Sequence, residues 1–474
     1  MQWSGTAISN EIHANGLIKV RVVSCDPMRD TWFIVPILLA ATFVGAIDND
    51  TIGARRKRAA GAFHDGILIV HALSRLDFSA DGYRQDPYFY YLTGLENTVS
   101  ALLAIDGKSG ESWLFLPDHS PYEKRGLQPE VLPGADAVKR LGIDHVVDWS
   151  ELDGFLSRQA GPGARIYYAA DHTEYPELPA NLLAAKTPEA PLWIQGILHK
   201  YPAFEVKEVR RSLSALMFVQ DAGEIAALRS AAKTTVTALL AGMHAIRPGV
   251  QQRIVESVVE SACWNAGAHG TDFWPWSMSG ENAVFPRPFF SFALYDHLNQ
   301  EMRAGELVRL DVGCEWQHYQ GDLGRTVPVS GHYSDDQRDT WNIFVAAYHA
   351  GAAALRGGVT ADQVYEVWRS ELLRHRVAAK SALAQHAIDS WSKRENVPFW
   401  QIHATNLVAA FPPALLPVGM TVNFEPIASV DGQGFFLEDM YLITKDGAEL
   451  LTSGLPYSAE EIEAEMHKGP PFRE

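Results

Sequence analysis

The segment ELVRLDVGCEWQHYQGDLGRTVPVS, residues 306–330, constrains this chain more than any other. Val308, Leu310 and Val312 alternate on one face of a strand, so Asp311 points to the opposite face. Gly313 and Gly321 bound a stretch long enough to turn the chain back, and a second extended run, Arg325 to Val329, brings Asp322 alongside Asp311. Two carboxylates on one face of a hairpin repel each other unless protons, basic residues or cations intervene. The reading preferred here is a pair of hard divalent cations bridged by carboxylates.

Two more acids follow in strand-like surroundings. In MTVNFEP, Met420, Val422 and Phe424 make an apolar face, and Thr421, Asn423 and Glu425 a polar one. In GFFLEDMYLIT, Glu438 sits within an apolar run. An isolated acid in a strand is expensive to bury. Asp311, Asp322, Glu425 and Glu438, in separate segments, therefore read as one shared site.

The order of these motifs resembles the pita-bread metallopeptidases: aminopeptidase P, prolidase and methionine aminopeptidase. SGEN at 279–282, EMRAGELVRLDVGCEW at 301–316, GDLGRT at 321–326, VGMTVNFEP at 418–426 and YFYYLTGLE at 88–96 are most similar to aminopeptidase P. The resemblance spans about residues 55 to 460. It implies an α+β fold with a C-terminal pita-bread (creatinase/aminopeptidase) domain, residues 206–474, behind a smaller α/β N-terminal domain, residues 47–205.

With 474 residues the chain is too long for one ordinary core and fits two domains. Hydrophobic residues at 47% and charged ones at 20% describe a globular protein. A net charge of −17 argues against a nucleic-acid partner, because a polyanion needs a basic surface. Cys25, Cys263 and Cys314 make no disulfide framework and no zinc-finger spacing, and Cys314 reads as a small strand residue.

Residues 1–27 read as an upstream extension. Within 28–46 the uncharged run FIVPILLAATFVGA, residues 33–46, is short for a membrane span and suited to the core of a signal peptide starting at Met28. Processing near Ile47 would make the protein periplasmic or secreted, with no membrane attachment afterwards. A buried N-terminal strand or helix is the alternative, leaving the protein cytoplasmic.

GILIVHAL (66–73), TVSALLAID (98–106) and WLFLP (113–117) read as strands, and ARRKRAAGAF (54–63) as a short basic helix with a solvated charged face. YFYYLTG is read as core. Residues 176–202, rich in Pro and Ala, are linker-like. Capping patterns Asp221/Glu224, Ser334/Gln337 and Thr360/Gln363 open helices. Another helix carries Ile254, Val258 and Ala262 and stops at Gly267.

The resemblance implies one imidazole ligand beside the four acids. WQIHATNLVAAFPPALLPVGM offers His403 alone where the family has a His-rich segment. In one register His403 is the metal ligand. In the other it is the later, substrate-facing histidine, and the metal position falls on Asn396. The family's His-Tyr pair before the first aspartate is replaced by Leu294-Tyr295, with His297 nearby as a residue to bind substrate or pass a proton. The arginine common two residues before the last glutamate is Phe436 here. His318 and His386 are assigned surface or structural roles.

The implied chemistry is hydrolysis of the bond before proline at the second position of a peptide, using two divalent ions. Manganese suits the ligands, with cobalt, iron or zinc as alternatives. Asp311 would hold one ion and His403 the other, Asp322 and Glu438 would bridge, and Glu425 would be both ligand and general base. A homo-oligomer is expected. Alternatives are a prolidase restricted to Xaa-Pro dipeptides, an idle pita-bread binding protein, and a metal-free creatinase-like hydrolase.

Overall fold

The structure, a computed structural model, describes residues 8–12, 18–22, 47–73, 85–120, 126, 129–169, 191–284, 299–407 and 412–469. The suspected signal peptide and most of the linker-like stretch lie outside these residues, as does His297. Met1–Gly45 forms one compact unit and Ala46–Glu474 another. Of the first, an antiparallel hairpin is described, β1 (Ile8–Ile12) with β2 (Ile18–Val22).

In the larger unit, six strands form a mixed sheet: β3 (Ile67–His71), β4 (Leu102–Asp106), β5 (Ser112–Leu116), β6 (His145–Asp148), β7 (Arg165–Ala169) and β8 (Glu205–Glu208). Their order is β6-β5-β4-β3-β7-β8. β3, β4 and β5 pair antiparallel, while β5–β6, β3–β7 and β7–β8 pair parallel. β3, β4 and β5 carry the three runs expected to be strands. One face packs on the helix Pro87–Thr93, whose aromatic run is buried as expected, and the other on Glu151–Gln159 and Leu192–Lys200.

The basic helix Asn49–Ala62 departs from expectation. Arg55 and Arg56 are buried, not solvated. Arg55 donates to Asp221 Oδ2 at 2.9 Å and to the Tyr91 carbonyl at 3.1 Å, and Arg56 to the carbonyls of Leu92 and Leu141. Their partners lie tens of residues away or more, so local sequence could not reveal the burial.

The second sheet is antiparallel. It comprises β9 (Trp276–Ser279), β10 (Leu307–Val312), β13 (Leu323–Pro328), β14 (Gln401–Ala404), β15 (Thr421–Glu425), β16 (Ile427–Val430), β17 (Gln433–Ile443) and β18 (Ala448–Leu450). The order is β14-β15-β17-β13-β10-β9, with β16 and β18 also on β17. Between β10 and β13 a small hairpin, β11 (Glu315–Trp316) with β12 (Tyr319–Gln320), makes the turn foreseen between Gly313 and Gly321.

Helices Ala222–Ala245, Asp335–Ala354 and Ala361–His375 each start in a full capping box at the expected residues. They pack on the sheet in one core with Gln252–Asn265 and Ala382–Trp391. In Gln252–Asn265 the helical period is as expected but the phase is not. Val255, Val259 and Cys263 face the core, whereas Ile254 is exposed. The cysteine reading is also corrected, because Cys263 is joined by a disulfide to Cys314 at the end of β10. Among the described residues no helix is long and apolar enough to cross a membrane.

Candidate metal centre

Sheet register assembles the acids. Asp311 on β10 stands opposite Gly324 on β13, which stands opposite Glu438 on β17. Asp322 lies just before β13. On the other side of β17, β15 aligns Asn423 with Met440, and β14 aligns Gln401 with Glu425 and His403 with Asn423. A strand's two-residue period puts Asn423 and Glu425 on one face, as it does Gln401 and His403. Gly324 is needed where it stands: a Cβ there would lie 1.9 Å from the Phe436 ring and 2.6 Å from the Leu310 carbonyl.

Asp322, His403 and Glu438 offer ligand atoms that all lie within 4.8 Å of one another, and so do Asp311, Glu425 and Glu438. Glu438 is common to both groups. His403 Nε2 is 3.3 Å from Glu438 Oε1, 3.4 Å from Glu425 Oε2 and 3.6 Å from Asp322 Oδ2. The four acids and His403 thus meet across five segments of chain. Asn396 does not join them. It is exposed and donates to the Ser390 carbonyl at 3.1 Å, so the imidazole of this cluster is His403.

Three residues beside the acids were not singled out from sequence. Asn423 Nδ2 donates to Glu438 Oε1 and to the Asp322 carbonyl, each at 2.7 Å. Gln401 Nε2 donates to Glu425 Oε2. Arg309 Nη2 lies 2.7 Å from Asp311 Oδ2. Alternation held the signal for each: Arg309 is two residues from Asp311, Asn423 two from Glu425, and Gln401 two from His403.

The electrostatics are those of buried acids crowded around one imidazole. Burial, with Glu425 nearby, pushes Asp311 up to about 6 despite the opposing Arg309. Burial and the same neighbour push Glu438 up to about 8. Burial and the Glu438 charge raise Asp322 well above the usual carboxylate range. Burial alone would lower His403, but hydrogen bonds to Glu425 and Glu438 and the charge of Asp322 raise it well above its ordinary value.

The donor set fits divalent metal ions: four carboxylates and one imidazole, hard oxygen donors with a single nitrogen. Among the described residues Glu438 Oε2 is buried without a hydrogen-bond partner, a cost that a cation would relieve. Beneath the site, Asp439 points the other way into a buried network. It pairs with Arg325 at 3.1 Å and accepts from Thr452 Oγ1 at 2.7 Å and Tyr457 Oη at 2.9 Å.

An antiparallel sheet that gathers four acids and a histidine, preceded in the chain by a mixed α/β sheet, defines a metallohydrolase of the pita-bread class. Comparison with known proteins gives the family. Residues 226–445 match the model of metallopeptidase family M24, and residues 52–167 that of the aminopeptidase P N-terminal domain. The chain belongs to the aminopeptidase P group of the pita-bread metallopeptidases. It is 25% identical over 441 residues to the Xaa-Pro aminopeptidase of Escherichia coli K12, covering 84% of this chain and 93% of that one. It is 24% identical over 428 residues to the mitochondrial intermediate cleaving peptidase 55 of Arabidopsis thaliana, covering 86% and 81%. Among solved structures, E. coli aminopeptidase P superposes with a TM-score of 0.71 at 24% identity, covering 90% of this chain and 99% of that one. Proline aminopeptidase P II of Yersinia pestis also gives 0.71, at 23% identity, covering 89% and 100%.

Proposed function

We propose that this protein is an Xaa-Pro aminopeptidase that releases the first residue of peptides with proline at the second position. The observation that carries the proposal is the meeting of Asp311, Asp322, His403, Glu425 and Glu438 in two ligand groups sharing Glu438, on a chain whose relatives carry that activity in their names.

Asp322, His403 and Glu438 would hold one divalent ion, and Asp311, Glu425 and Glu438 the other. When bound, such ions acidify water and polarise a carbonyl. Glu425 accepts the proton of the attacking water and returns it to the departing proline nitrogen. Gln401 holds Glu425 Oε2 for that exchange. Asn423 fixes Glu438 by donating to one of its oxygens and leaves Oε2 free for a ligand. Manganese is the ion that best suits four carboxylates and one imidazole nitrogen.

The signal-peptide reading adds a periplasmic or secreted location, and the Cys263–Cys314 disulfide supports an oxidising compartment. N-terminal sequencing of the native protein tests it: a start near Ile47 is expected, and an intact Met1 refutes processing. Self-association, expected from the resemblance, is read by sedimentation.

Hydrolysis of Xaa-Pro-Yaa peptides and Xaa-Pro dipeptides with added Mn²⁺, by wild type and His403→Ala, tests the activity. Cleavage of the longer peptides, lost in the variant together with bound metal, is expected. Activity on dipeptides alone makes it a prolidase. A folded wild type that binds no divalent ion makes it an idle binding protein.

A further inference from the structure

Arg309 enters the cluster from β10. It is 3% exposed, and its Nη2 lies 2.7 Å from Asp311 Oδ2 and 3.6 Å from Glu425 Oε1. The guanidinium lies over the Phe436 ring, 4.1 Å from its centroid. Its Nε and Nη1 are buried and have no hydrogen-bond partner among the described residues. Burying an arginine with two donors unserved is costly. Its hydrogen bond from Nη2 to Asp311 Oδ2 serves one nitrogen and does not by itself account for the burial. Its charge, set against two buried carboxylates, does.

Register shows how the guanidinium is held. Arg309 stands opposite Thr326 on β13, and Thr326 Oγ1 exchanges hydrogen bonds with the backbone of Phe436 on β17. Arg309, Thr326 and Phe436 thus form a row one pleat from the row of Asp311, Gly324 and Glu438. Because Gly324 has no side chain, the Phe436 ring can lie in that space, and it forms a flat support for the guanidinium.

The two ligand groups differ in kind. One contains the imidazole of His403. The other, Asp311 with Glu425 and Glu438, is carboxylate alone, and it is the one Arg309 touches. Resting on the dinuclear reading above, we propose that Arg309 is a positioning residue acting as the built-in counter-charge of the all-carboxylate half. It holds Asp311 and Glu425 in place and weakens that half's grip on its divalent ion. A guanidinium keeps its charge across the physiological pH range and repels a divalent ion a few ångströms away.

The test is a Mn²⁺ titration of the chelator-stripped full chain, with free Mn²⁺ read by electron paramagnetic resonance. Wild type is expected to take two equivalents. In Arg309→Gln and Arg309→Met, one equivalent should bind about tenfold more tightly or better, with the other little changed. Arg309→Lys, which keeps the charge, should stay near wild type. Unchanged or weaker binding in both neutral variants, with circular dichroism showing them folded, overturns the proposal. So does a tenfold tightening in Arg309→Lys. Neutral variants that fold only with Mn²⁺ present support it, because the added ion replaces the missing charge. Variants that stay unfolded at saturating Mn²⁺ overturn it. A wild type that binds fewer than two ions refutes the dinuclear reading itself, which is a separate result.

Discussion

Asn423 Nδ2 lies 2.7 Å from Glu438 Oε1 and 2.7 Å from the carbonyl of Asp322, tying two acids of the cluster to one amide. Its own oxygen accepts from Thr405 Oγ1, so the amide cannot turn over without losing that bond. A group that orients a ligand in this way typically accounts for about 10–100-fold in metal affinity. Asn423→Leu should lose that much Mn²⁺ affinity while keeping its fold. Calorimetric titration checks it, and an unchanged affinity would show the amide to be structural only.

Glu425 is both a ligand candidate and the proposed proton carrier, so Glu425→Gln separates the two roles. The amide can still offer an oxygen but cannot take a proton. Loss of a general base costs about 10²–10⁴-fold in rate. The variant should show that drop in kcat on an Xaa-Pro-Yaa peptide while still binding metal. Turnover within tenfold of wild type would move the base to another residue.

What the sequence disclosed followed from rules that act locally. The period of two put Asp311, Glu425 and Glu438 in strands with defined faces, and the three capping boxes each join residues three apart. What it concealed depends on partners far along the chain. Arg55 and Arg56 look like a solvated basic face until Asp221 and the carbonyls of Tyr91, Leu92 and Leu141 close around them. In residues 252–265 either Ile254 or Val255 could begin the apolar stripe, and only the packed sheet decides for Val255. Arg309 had a legible clue in its spacing from Asp311. Its place over Phe436 requires the register of three strands.

The raised carboxyls make the metal-free protein sensitive to pH. Asp311 is pushed up to about 6 and Glu438 up to about 8, so both hold protons in the folded state that the unfolded chain has released. Stability from these two groups is complete below about pH 4, the unfolded value, and falls as pH rises through 6 and then 8. The chelated protein should therefore melt several degrees lower at pH 8.5 than at pH 5.5 relative to the Mn²⁺-loaded protein. Ion binding should also release protons, so Mn²⁺ affinity should climb over the same range. Thermal scans of both forms at the two pH values decide it. A chelated form that gains on the loaded one at high pH would contradict the assignment.

Arg325 and Asp439 are both fully buried, and the pair ties β13, which follows Asp322, to β17, which carries Glu438. Removing one partner of such a pair leaves an uncompensated charge, a loss of about 3–5 kcal/mol. Arg325→Met should lose about that much in denaturant unfolding. Replacing the arginine together with Asp439→Leu should recover part of it. Single and double variants of equal stability would mean the ion pair is not what holds the strands.

The Cys263–Cys314 disulfide pins the end of β10 to the helix Gln252–Asn265, three residues beyond Asp311. It spans 51 positions, and a loop of that size constrains the unfolded chain by about 4 kcal/mol in the chain-entropy account. Both sulfurs sit in the main core, so serines there would also bury hydroxyls beside apolar neighbours. Cys263→Ala with Cys314→Ala avoids that second cost and isolates the cross-link. The paired alanine variant should lose about 2–4 kcal/mol of stability, the typical worth of a disulfide. Its Mn²⁺ affinity should fall as well if the cross-link helps hold Asp311 in register. Reducing agent should reproduce the stability loss in wild type and have no effect on the alanine pair. A variant that unfolds at the wild-type denaturant midpoint would show that core packing alone fixes the end of β10.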